Sequence, residues 1–131
     1  MMSQNQSDFS ILGQTVREPV KKLEVFPAPK GLTNVILESD EVTSLCPVTG
    51  QPDWETVIIE FEPDQLCIES KSLKLYLWSF RQEGVFCEAL ADQIANDIYD
   101  ACKPRWCKVT VIQKPRGGIR ITATAMVGKK K

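Results

Sequence analysis

In "WETVIIEFEP" the apolar and polar positions alternate: Val57, Ile59 and Phe61 share one face, and Trp54, Thr56 and Ile58 the other. A period of two predicts a β-strand, and Pro63 with Asp64 ends it. Upstream, "LTNVILESDEVTSL" is β-branched and partly alternating, which predicts a strand around Thr33 to Thr43. A turn from Pro47 to Pro52 joins the two strands. The period then changes. "ESKSLKLYLWSFRQEG" sets Leu73, Leu77 and Phe80 at helical spacing with Tyr76 beside them, and Gly84 is the stop. "FCEALADQIANDIYDACKP" carries a stripe of Leu90, Ile94, Ile98 and Ala101 before Pro104. "WCKVTVIQK" and "GIRITATAMV" are two strands joined at "PRGG", a hairpin. The order β-β-α-α-β-β predicts an α+β fold, an antiparallel sheet with helices on one face. Its two open edges invite pairing between copies into an oligomeric barrel. Residues 1–30, polar and ending in "FPAPKG", are expected to form a flexible arm, 31–127 a single domain, and 128–131 a frayed basic tail.

Composition narrows the chemistry. The chain of 131 residues has room for one domain with a core. Its net charge of −1 gives no basic field for nucleic acid. No apolar run reaches the roughly 20 residues that span a bilayer. The opening "MMSQNQSDFS" lacks the apolar stretch of a secretory signal, so the expected location is cytoplasmic. Cysteines stand at 46, 67, 87, 102 and 107, an odd number at irregular spacing that suits neither a disulfide scaffold nor a zinc site. There is no histidine, so Ser-His-Asp and Cys-His machinery cannot be built within the chain. An acid or base working near neutral pH must be Asp, Glu, Lys, Tyr or Cys with a tuned pKa.

Three stretches carry candidate chemistry. In "SLCPVTGQPDW", Cys46 and Asp53 stand at the two shoulders of a turn. A thiol there can be reached, and the carboxylate can face it; the plainer readings are a small buried cysteine and a turn aspartate accepting N–H bonds. In "ESKSLKLY", Lys71 and Lys74 share a helix face at the helix start, with Ser70 and Ser72 as donors. A phosphate-bearing cofactor would suit that place, although an ordinary solvated helix start fits the pattern as well. In "CEALA", Glu88 lies in a first helical turn, either as a dipole partner or as an acceptor for two N–H groups of a purine edge.

Taken together, "SLCPVTGQPD", "ESKSLKLYLWSFR", the glutamate heading the second helix and "PRGG" resemble, in this order, the 7-cyano-7-deazaguanine reductases, nitrile reductases of the QueF family in their short single-domain form. The resemblance runs from Leu32 to Thr124. It implies the tunnelling fold, with subunits forming a barrel and active sites at subunit interfaces. It also implies reduction of the nitrile of 7-cyano-7-deazaguanine by NADPH to an aminomethyl group, on the route to queuosine in transfer RNA. On this resemblance Cys46 is the nucleophile that adds to the nitrile carbon as a thioimidate, and Asp53 the proton donor to its nitrogen, for which a raised pKa is expected. Ile68, Glu69 and Ser70 correspond to the stretch that contacts substrate, and Glu88 to the glutamate that anchors the purine. Lys71 and Lys74 look like phosphate contacts for NADPH, and Arg116 is expected to reach the cofactor across an interface.

The chain departs from the family pattern at Cys87, where a histidine usually precedes the anchoring glutamate. A thiol there, lining the same pocket as Cys46, carries the further expectation of a Cys46–Cys87 disulfide under oxidation. Two other functions stay open on the residues. One is an amidinotransferase of the same fold adding ammonia to the nitrile, which should lack the intact "ESKSLKLY"; the other is a non-catalytic purine-binding module, which has no need of a thiol paired with a carboxylate.

Overall fold

The computed structural model of the chain describes residues 20–129. Six strands, here β1 to β6, and two α-helices follow one another as β1 Val25–Pro27, β2 Val35–Leu45, β3 Pro52–Glu62, β4 Leu66–Ile68, α1 Ser70–Trp78, α2 Cys87–Cys102, β5 Trp106–Arg116 and β6 Ile119–Gly128. The main sheet is an antiparallel meander, β2-β3-β5-β6, and β1 pairs with β4 in a separate two-stranded ribbon. The four long strands and two helices fall where periodicity places them. The alternation is also the burial pattern: Val57, Ile59 and Phe61 turn inward, and from the neighbouring strand so do Val109 and Val111. Helix α2 lies on β5 and β6, with Leu90, Ile94 and Ile98 fully buried against that face. Each such side chain contributes about 1.5–3 kcal/mol by burial. Cys67, Cys87, Cys102 and Cys107 belong to this core as small apolar groups; Cys46, also buried at 8% exposure, lies outside the cluster they form.

Three features differ from the sequence reading. Strand β2 begins and ends two residues later than the expected Thr33 to Thr43. Helix α1 stops at Trp78 and tightens into a 3₁₀ turn over Ser79–Gln82 before Gly84. There the Ser79 hydroxyl donates to the Tyr76 carbonyl at 2.5 Å, a side-chain bond that competes with regular helix. The ordered body also begins before residue 31. Val25 pairs with Ile68 and Pro27 with Leu66, and Glu24 is buried, its N–H donating to Ser72 Oγ at 2.9 Å. Residues 1–19 of the expected arm, and the last two lysines of the tail, lie outside the described residues.

The sheet leaves β2 and β6 as edges. The far end of β2 is closed: Leu45 N–H donates to the Glu83 carbonyl and Val85 N–H to the Leu45 carbonyl, a parallel bridge around Gly84. A Cβ on Gly84 would sit 3.4 Å from Pro47 Cα, so a small residue lets this segment lie close over the turn that follows β2.

Candidate functional site

Two bulges decide which side chains meet at that end of the sheet. In β2, Ser39 pairs with Val57 but Val42 pairs with Glu55, so β2 carries one extra residue around Asp40 and Glu41. The extra residue inverts the alternation. Before it Leu37 and Ser39 face inward; after it Val42 and Ser44 do, and Cys46, two residues on, follows that phase. In β5, Gln113 pairs with Ile121 and Arg116 with Ile119, again one residue in excess, at Lys114–Pro115. Arg116 thereby returns to the face of Gln113, and Gly117 and Gly118, with φ of 59° and 79°, close the hairpin behind it.

The Cys46 turn is held by backbone bonds. Cys46 N–H donates to the Gln51 carbonyl and Gly50 N–H to the Cys46 carbonyl, both at 2.8 Å, with Gly50 at φ 74°. Inside this turn the sulfur is surrounded by donors. The Thr49 hydroxyl foremost, then the N–H groups of Thr49 and Val48, and the Arg116 guanidinium, bring its pKa down from 9.0 to about 7 against the opposing effect of burial. Such donors favour the thiolate, the nucleophilic form.

Asp53 and Glu55 continue the inward face of Val57, Ile59 and Phe61, and each is 2% exposed. Asp53 Oδ1 lies 2.7 Å from Arg116 Nη1. Glu55 Oε2 accepts a hydrogen bond from Ser44 Oγ at 2.7 Å, while its Oε1 has no hydrogen-bond partner among the described residues. Burial first, and then the charge of Asp53, push the Glu55 pKa up to about 7, with Ser44, Gln113 and Arg116 pulling the other way. Cys87, the first residue of α2, donates from Sγ to the Val111 carbonyl at 3.6 Å. Its pKa is pushed up to about 11 by burial and by Glu88, Glu55 and Asp53, so at neutral pH it is a thiol. Both Cys46 and Cys87 are free cysteines. Glu88, in the first turn of α2, is exposed.

The remaining expected residues gather elsewhere. Ile68 is buried at the end of β4. The Glu69 carboxylate caps α1, accepting from Lys71 N–H at 2.8 Å and Ser72 N–H at 2.7 Å. The N–H groups of Lys71 and Ser72 at this helix start are thus taken by Glu69 and are not free for an anion. Ser70 and Lys74 line a cleft of about 370 Å³ between α1 and β2, with Leu37, Glu38, Ile59 and Trp78 among its walls. The same cleft runs along β2 to Val42 and Thr43, so its wall on that strand ends three residues before Cys46. Arg116, expected to reach the cofactor across an interface, stands within its own chain in the Cys46–Asp53 group.

The structure thus brings together Cys46, Asp53, Arg116 and Cys87, and adds Ser44, Thr49 and Glu55, which the sequence reading passed over. For Glu55 the signal was present, since the alternation that placed Val57 inward extends to residues 55 and 53. For Ser44 it was hidden by the bulge. No group of three or more potential metal ligands occurs among the described residues.

The family model of QueF-like proteins matches residues 52–131. The chain is 45% identical over 115 residues to the NADPH-dependent 7-cyano-7-deazaguanine reductase of Anaeromyxobacter sp. (strain Fw109-5), covering 86% of this chain and 94% of that one. It is 47% identical over 121 residues to the protein of the same name from Syntrophus aciditrophicus (strain SB), covering 91% and 86%. Among solved structures it is similar to the archaeosine synthase QueF-Like in the apo form, with a TM-score of 0.70 and 24% identity over 76% of this chain and 97% of that one, a likeness of fold.

Proposed function

The chain belongs to the QueF-like family, and on that premise we propose that it reduces the nitrile of 7-cyano-7-deazaguanine to the aminomethyl base at the expense of NADPH, with Cys46 as nucleophile and Asp53 as proton donor. The observation that carries this reading is the Cys46 thiol, held within its own turn at a pKa of about 7 beside the buried Asp53–Arg116 pair. As the sulfur adds to the nitrile carbon, one C≡N π bond breaks, and its electron pair takes the proton of Asp53 at nitrogen, giving a thioimidate C=N group. NADPH, when bound, supplies the two hydrides that carry carbon to the amine level; the other two hydrogens arrive as protons. Arg116 holds the Asp53 carboxylate that each proton transfer leaves behind.

For the cofactor, Lys74 and Ser70 line the cleft and Lys71 adds a second cation on the first turn of α1, a donor set suited to phosphate. With the helix N–H groups taken by Glu69, side chains would hold it. The reading includes assembly of copies through the open edges of β2 and β6, so that the substrate and cofactor contacts of one subunit serve the Cys46 of another. It also includes a cytoplasmic enzyme acting on the free base; no described helix is long and apolar enough to cross a membrane.

The test is mass spectrometry of the protein incubated with the nitrile base without NADPH, followed by addition of NADPH. The expected result is a single adduct on Cys46, then release of the amine with two NADPH oxidised per product. Consumption of ammonia without NADPH would instead mark an amidinotransferase, and neither adduct nor turnover would leave a purine-binding module.

Replacing Lys71 and Lys74 together by alanine should raise KM for NADPH and leave the adduct intact. A charge-assisted contact is worth about 1.5–3 kcal/mol, roughly tenfold or more in affinity for each lysine that touches phosphate. An unchanged KM would make the lysines part of an ordinary solvated helix face.

A further inference from the structure

Nitrile reduction needs two protons for its two hydrides, and Asp53 carries one. A second carboxyl group stands directly behind it. Glu55 is two residues along the same strand on the same inward face, equally buried, and one of its oxygens has no hydrogen bond. Ser44 neighbours both: its hydroxyl donates to Glu55, and it is the cross-strand partner of Asp53 on the same inward face in the register of β2 and β3. That hydroxyl is wholly buried. A hydroxyl both donates and accepts, so it can receive a proton from one carboxyl group while passing its own to another.

We propose that Glu55 is the proton reservoir of this site, reloading Asp53 through the Ser44 hydroxyl after Asp53 has protonated the substrate nitrogen. The proposal rests on the reductase reading above. In this step Glu55 O–H gives its proton to Ser44 Oγ as Ser44 O–H gives its proton to the Asp53 carboxylate. Glu55 is left ionised, Asp53 neutral and Ser44 unchanged, and bulk water returns the proton to Glu55 between turnovers. Glu55 acts through Asp53 and does not itself touch substrate.

The surroundings suit the task. Glu55 faces Val42 and Ser44 from β2, Asp53 on its own strand, Gln113 and Arg116 from β5, and Cys87 from α2. Among these, Cys87 keeps its proton at neutral pH. Glu55, poised at about 7, is therefore the neighbour able to exchange a proton with Asp53 near neutrality. A carboxyl group that must be protonated gives the opposite pH dependence to a thiol that must be ionised. The wild-type kcat profile should rise with pH as Cys46 ionises and fall as Glu55 does.

The test compares Glu55→Gln, which keeps shape and a hydrogen bond to Ser44 but cannot relay, with Ser44→Ala and Asp53→Asn. Glu55→Gln should still form the Cys46 adduct in the absence of NADPH. Its kcat should fall by at least about tenfold and lose the alkaline fall while keeping the acid rise. Ser44→Ala should share the drop in kcat. Independently of turnover, infrared titration of the wild type should show a protonated carboxyl band that disappears around pH 7 and is absent in Glu55→Gln. An unchanged kcat and pH profile in Glu55→Gln, or no such band, would overturn the reservoir. If Asp53→Asn abolishes turnover while Glu55→Gln leaves it intact, the reservoir alone falls. If Asp53→Asn retains full turnover, Asp53 is not the proton donor and the reservoir that reloads it falls; if the wild type oxidises no NADPH, the reductase reading falls and the reservoir with it.

Discussion

Cys46→Ala should give a folded protein that forms no adduct with the nitrile base and oxidises no NADPH. The two halves of this result have separate causes. The fold should survive because Cys46 lies outside the hydrophobic core cluster, and because the backbone bonds to Gln51 and Gly50 that hold its turn do not involve its side chain. The chemistry should vanish because no other cysteine can replace it. Cys67, Cys87, Cys102 and Cys107 are core residues, and burial raises the pKa of each. A thiol of raised pKa is not ionised at neutral pH, whereas the donors around the Cys46 sulfur lower its pKa. Circular dichroism with intact-mass analysis after incubation with the base measures both halves. A folded variant that still oxidises NADPH would remove Cys46 from the mechanism. Loss of the folded signal would mean that the thiol also holds the turn together.

Deleting Glu41 should damage this protein far more than replacing it. Glu41 and its neighbour Asp40 are exposed, and Asp40→Ala or Glu41→Ala should be mild. Deletion removes the extra residue of the β2 bulge, and the inversion of side-chain phase goes with it. One half of the strand must then turn over. If the second half does, Ser44 and Cys46 leave the inner face and the adduct is lost. If the first half does, Leu37 turns outward and the Glu38 carboxylate is driven toward the core. An uncompensated charge inside costs about 3–5 kcal/mol, which in a domain of this size lowers the melting temperature by roughly ten degrees or more. Thermal melts and adduct formation together cover both routes. A deletion variant with wild-type melting temperature and full adduct formation would show that the bulge does not set the position of Cys46.

Local pattern alone determined much of this protein. The alternation of Val57, Ile59 and Phe61, the stripe of Leu90, Ile94 and Ile98, and the paired glycines after Arg116 each specify their element within a few residues. The spacing of Cys46 and Asp53 across a proline-flanked turn is equally local, because a short turn holds its two shoulders close wherever it sits. Other features depend on partners far apart in the chain, and only the tertiary structure decided them. Val25 to Pro27 became a strand because Leu66 to Ile68 came alongside. Glu69 became a helix cap because the chain turns into α1 directly after β4. Arg116 met Asp53 because a bulge in β5 returned it to the inner face. The bulge in β2 did the same for Cys46. Glu55 acquired a pKa near neutrality for the same kind of reason. Its place on the strand was written in the alternation, but its desolvation came from the sheet and helix closing over it, and from the charge of Asp53 held in the same dry space. A carboxyl group's proton affinity is set by what surrounds it, and the surroundings are assembled only when the chain is folded.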